Sequence, residues 1–92
     1  MILALTDLPG IGPKAAQQLR AVGINNEHEL RELGAIATYV RLQSLTPKPS
    51  LNFLYALVGA LEGRRWQDVA RNDKAHLQQS LQQFYRELNR PS

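Results

Sequence analysis

The chain has 92 residues, 43% of them hydrophobic and 21% charged, with a net charge of +3 at pH 7 and no cysteine. That length and balance describe one ordered domain near the small end of what folds without staples, and argue against a disordered chain. The missing cysteine excludes disulfides, thiolate metal sites and cysteine nucleophiles, and fits a reducing cytoplasm.

Periodicity is helical almost throughout, and no segment alternates as a strand does. Leu3 to Leu8 make at most a short first helix, closed by Pro9-Gly10. Pro13 suits the first position of a second helix, where its missing N–H is not needed. That helix turns Ala16, Leu19 and Val22 inward and stops at Gly23. Asn26 with Glu29 three residues later reads as a capping box, opening a helix that buries Leu30 and Leu33 and stops at Gly34. A fourth helix, Ala35 to Leu45, buries Ile36, Tyr39, Val40 and Leu42, and Pro47 and Pro49 prevent its continuation. Ser50 is the expected cap of a central helix with Leu51, Leu54, Leu57, Val58 and Leu61 in a broad stripe. Its small side, Ala56, Gly59, Ala60 and Gly63, lets another helix come close. "RRWQDVA" then makes a turn or short helix anchored by Trp66 and Val69, and Asn72 caps a last helix carrying Leu77, Leu81, Phe84 and Leu88. The predicted fold is all-α. Residues 1–92 form one small orthogonal domain of five to six helices, with an N-terminal helix-hairpin-helix over roughly residues 3–23.

The stretch "LPGIGPKAAQQL" carries the sharpest functional signal. Gly10 and Gly12 tolerate positive φ and keep Cβ atoms out of the turn, while Ile11 fixes the hairpin. Bare N–H groups near Gly12, Lys14 and Ala15, backed by the helix dipole and the Lys14 ammonium, would accept a DNA phosphate without reading bases. The alternative is that the glycines serve only to pack two short helices. Charge distribution favours the alternative: Lys14, Arg20, Arg31 and Arg41 balance Asp7, Glu27, Glu29 and Glu32 in the first 46 residues, so the whole +3 excess lies in residues 47–92.

A second basic and aromatic patch is Arg64, Arg65 and Trp66, which could stack on a base or grip a phosphate. The preferred reading is that Trp66 plugs the bottom of the core while both arginines face water. "HELRE" lacks the second histidine of a zinc helix, and His28 with Glu32 reads as a surface turn. No nucleophile elbow, P-loop, dinucleotide fingerprint or metal cluster is present. The expectation is a non-enzymatic chain without cofactor or metal. No apolar run approaches the roughly 18 residues that cross a bilayer. "MILAL" is too short for a signal-peptide core. A soluble cytoplasmic protein without a membrane partner is expected.

Four blocks in order, "LPGIGPKAAQQLRAVGI", "ELRELGA", "YVRLQ" and "LNFLYALVGALEGRRWQDV", resemble the C-terminal domain of the TfoX/Sxy competence regulators, over about Leu5 to Val69. The resemblance implies a small helical domain, often the second half of a bacterial positive regulator of DNA-uptake genes that works with the cyclic-AMP receptor protein at promoters. It makes Gly10, Gly12 and Lys14, which match the hairpin motif, the candidate DNA-side residues, and Gly59, Ala60, Gly63 and Trp66 packing residues. The α/β N-terminal domain of full-length members is missing, so an excised domain, a fragment or a stand-alone paralogue is expected. Val58 stands where the pattern has Glu. The function expected is weak, sequence-independent DNA backbone contact together with a protein partner, such as the transcription machinery. The competing expectation is an interaction or homodimerisation module that does not bind DNA.

Overall fold

Leu5, Leu8 and Ile11 recur every three residues, and all three are buried, which pins the start of the chain to the core before any long helix begins. The computed structural model describes residues 3–90. A single 3-10 turn, Leu5–Asp7, stands where a first helix was expected. It is closed at both ends by Asp7: its N–H donates to the Ala4 carbonyl at 3.0 Å, and its carboxylate accepts from the Ala4 N–H at 3.1 Å. The segment expected as the first helix of a hairpin is therefore one turn long, too short for the i→i−4 bonds of an α-helix.

Among the described residues six α-helices follow: α1 (Pro13–Ala21), α2 (Glu27–Leu33), α3 (Ala35–Leu42), α4 (Leu51–Glu62), α5 (Trp66–Asn72) and α6 (Lys74–Leu88). No strand occurs among the described residues. The domain is all-α. Helix α4 is buried at Leu54 and Tyr55 and at every position from Leu57 to Ala60, so it is enclosed on more than one side and forms the centre. Helices α3 and α5 pack on it, α6 packs on α3 and α5, and Leu19, Leu30, Leu42, Val69 and Leu77 are buried in the same core. Val58 belongs to that core. Fully burying one such aliphatic side chain stabilises the fold by about 1.5–3 kcal/mol.

Several local expectations need correction. Asn26 caps α2 by accepting the Glu29 N–H at 2.9 Å, but the Glu29 carboxylate reaches back to the N–H of Asn25, one residue earlier than a capping box requires. Helix α3 ends at Leu42 rather than Leu45. There the N–H groups of Gln43, Ser44 and Leu45 turn to carbonyls three residues back, and the Ser44 hydroxyl donates to the Arg41 carbonyl, competing with helical bonding. Ser50 precedes α4, but its side chain makes no capping bond. Asn72 is the last residue of α5, and Asp73 is the residue from which α6 starts, because the Asn72 amide is drawn back to donate to Asp68 at 2.7 Å. Leu88, the last member of the α6 seam, is 60% exposed.

Candidate functional site

The turn Leu8–Ile11 is closed by the Ile11 N–H donating to the Leu8 carbonyl at 3.2 Å, with Pro9 and Gly10 exposed at its tip. Proline at the second position and a glycine with φ +80° at the third are what a type II turn demands. Gly10 is therefore required by the chain's own geometry. Gly12 is not. Its backbone is extended at φ −87°, ψ 178°, a conformation open to any residue, and a Cβ built there meets no atom within 4 Å. The expectation that both glycines serve positive φ fails at Gly12.

Helix α1 starts from Gly12, which has no side chain to cap it, and Pro13 has no N–H to cap. The first helical bond runs from the Ala16 N–H to the Gly12 carbonyl at 2.9 Å. Among the described residues, the N–H groups of Gly12, Lys14 and Ala15 find no acceptor. Gly12 and Lys14 are exposed and Ala15 is half-buried. These amides sit at the positive end of the α1 dipole, where an anion is favoured.

A second loop, Gly63 to Trp66, is fixed from below. The Arg64 N–H donates to the Gly59 carbonyl at 2.8 Å. A Cβ on Gly59 would clash with the Arg64 carbonyl oxygen and lie 3.4 Å from the Trp66 nitrogen, so only glycine lets this loop seat on α4. The Arg64 guanidinium ties the loop down from the other side. It donates to Glu62, Asp68 and Asp73, each at 2.8 Å, with a second bond to Asp73 at 3.2 Å. The three carboxylates hold Arg64 protonated well above its ordinary range, and the guanidinium holds the Asp73 carboxyl below the ordinary carboxylate range. Arg64 is thus a structural clamp. Arg65 is exposed and, among the described residues, has no ion-pair partner within 4.0 Å, and the same holds for Lys14.

Trp66 does not plug the core. It is 39% exposed, because its seat at the first position of α5 puts Val69, one turn on, into the interior instead. The indole lines a hollow of about 320 Å³ together with Pro9, Gly10, Ala56, Gly63 and Arg65, and a neighbouring one of about 260 Å³ together with Gly10, Ala15, Phe53 and Ala56. Gly10 and Trp66 face both. The Pro9-Gly10 turn and the Arg64-Arg65-Trp66 patch, distant in sequence, line one groove. Gly12 and Lys14 lie outside its lining. Ala56 and Phe53 were not singled out as functional. Ala56's place on the small-residue side of α4 was the only hint.

Elsewhere the ion pairs are ordinary surface ones between near neighbours in sequence. His28 Nε2 meets Glu32 at 2.9 Å with both side chains exposed. Among the described residues, no group of three or more His, Cys, Asp or Glu side chains could hold a metal ion, and no helix is long and apolar enough to cross a membrane.

Comparison with known proteins agrees with this architecture. The sequence model of the TfoX C-terminal domain matches residues 3–81. The DNA transformation protein TfoX of Haemophilus influenzae (strain ATCC 51907 / DSM 11121 / KW20 / Rd) is 34% identical over 82 residues, covering 89% of this chain and 38% of that protein. The chain thus spans well under half the length of this relative. The crystal structure of an uncharacterized protein from Listeria monocytogenes superimposes with a TM-score of 0.76 at 30% identity, covering 89% of this chain and 93% of that one. With the matched blocks running from the 3-10 turn into α6, the chain belongs to the TfoX C-terminal domain family.

Proposed function

We propose that this domain is a non-enzymatic element of competence regulation that holds the DNA backbone weakly and without reading sequence, alongside a protein partner of the transcription machinery such as the cyclic-AMP receptor protein. Membership of the TfoX C-terminal domain family and similarity to the Haemophilus DNA transformation protein TfoX support the competence-related setting. The observation that carries DNA contact is Gly12: nothing among the described residues requires glycine there, yet its missing side chain leaves the amides at the start of α1 open to an outside anion. Lys14 and Arg65 supply unpaired cations nearby in sequence and along the groove, respectively. Two such cations release few counterions, so binding to duplex should be weak, with a slope of log affinity on log salt of roughly −2.

Fluorescence anisotropy of a labelled duplex at low salt tests this with the wild-type chain and Gly12→Glu. The new side chain points into open space, so the fold is retained, while its carboxylate competes with phosphate for the amides. Loss of binding by at least about tenfold is expected. Absent binding by the wild type, or equal binding by both, removes DNA from the model.

A second reading rests on α6. Tyr85 is 38% exposed and Leu88 60%, beside half-buried Leu81 and Phe84, and the last turns of this helix lie beyond the family match. Under this reading α6 is a dimerisation face. A strict monomer in sedimentation would exclude it.

A further inference from the structure

Resting on the backbone-contact reading above, we propose that the groove beside Trp66 takes an unpaired base of single-stranded DNA stacked on the indole, so that the domain prefers a single strand to a duplex. Trp66 is held out of the core rather than left out of it. Gly59 seats its backbone on α4, the Arg64 clamp fixes the preceding turn, and the Val69 N–H bonds the Arg65 carbonyl at 3.2 Å. A part-exposed aromatic side chain on a fixed backbone has few torsions left to lose when a flat partner covers it.

The opposite wall is the Pro9-Gly10 backbone, where the absence of a Cβ leaves open space. At about 320 Å³ the hollow is at the bottom of the range for small-ligand pockets, about 300–1,000 Å³, which suits one planar ring system and not a whole dinucleotide. Arg65 lines the same hollow, is exposed and has no ion-pair partner among the described residues, so it can meet the phosphate beside a stacked base, which an apolar peptide does not offer. The Arg64 cluster with Glu62, Asp68 and Asp73 keeps the surrounding charge net negative, so the contact is weak. A base inside a duplex has both faces covered by its neighbours and cannot offer one to Trp66, so the occupant must be unpaired.

Trp66 is the only tryptophan in the chain, so its fluorescence reports the stack directly. The 92-residue chain is titrated at low salt with three labelled probes of equal length: oligothymidylate, its abasic counterpart and a duplex. Oligothymidylate is expected to quench Trp66 and to bind about 5- to 150-fold tighter than the abasic strand. By anisotropy, Trp66→Ala should erase that difference while leaving abasic binding unchanged, and Trp66→Phe should keep most of it. Far-UV circular dichroism verifies that both variants fold. Equal binding of oligothymidylate and the abasic strand, with Trp66 unquenched, overturns base stacking yet leaves backbone contact standing. No binding of any probe overturns both.

Discussion

Gly59→Ala is the substitution on which the packing argument turns. In an ordinary helix interior the change stabilises by about 1 kcal/mol, since alanine is the better helix former. Here the added methyl would overlap the Arg64 carbonyl oxygen, a backbone atom that cannot swing away, so the loop must lift off α4. Overpacking of this kind costs about 1–3 kcal/mol. Displacing the Arg64 N–H from the Gly59 carbonyl removes a hydrogen bond worth about 1 kcal/mol more. The net expectation is a destabilisation of about 1–3 kcal/mol. For a domain of this size a loss of about 2 kcal/mol lowers the melting temperature by about 8–16 °C. Thermal unfolding followed by circular dichroism measures it, and a shift in Trp66 emission should accompany it because the indole moves with the loop. A Gly59→Ala protein as stable as the wild type, or more so, would refute the reasoning. Gly12→Ala is the matched control: its Cβ meets open space, so only the modest preference of a helix start for glycine over alanine is at stake.

Two further outcomes follow from the hydrogen bonds. Asn26→Ala removes the acceptor for the Glu29 N–H and should cost about 1 kcal/mol, read from chemical denaturation with an unchanged slope. Asp73, held below the ordinary carboxylate range by the Arg64 guanidinium, binds its proton more readily in the unfolded chain than in the folded one. Its contribution is therefore fully present above about pH 3.9 and lost as pH falls below it. Melting curves across that range should show a flatter acid dependence for Asp73→Asn, and identical profiles would remove Asp73 from the account of acid stability.

The helical plan was legible because it is local. Leu51, Leu54, Leu57, Val58 and Leu61 could line one stripe only at helical spacing, and that stripe is α4. Gly23 and Gly34 marked stops that backbone bonding respects: Ile24 donates to Leu19 across the end of α1, and Gly34 donates to Leu30 across the end of α2. Where side chains choose between near-equal partners, local reading failed by a residue or so. The Glu29 carboxylate chose Asn25, and the Asn72 amide chose Asp68 over capping α6.

The groove could not be read in the same way. The sequence by itself determined that Leu8–Ile11 must turn at a glycine and that a helix must start at Pro13, because steric limits on φ and the missing proline N–H act within a few residues. It also spread the charge so that the hairpin half is neutral, which spoke against a phosphate site there. Only the tertiary structure decided that Arg65 and Trp66 of the basic half stand against Pro9 and Gly10. That juxtaposition depends on Gly59 admitting a backbone and on Arg64 gathering three carboxylates, contacts whose geometry no single segment contains. The indole was expected inside because large apolar surfaces are normally buried. It stands partly outside because the core beneath it was already filled by Val69 and α4.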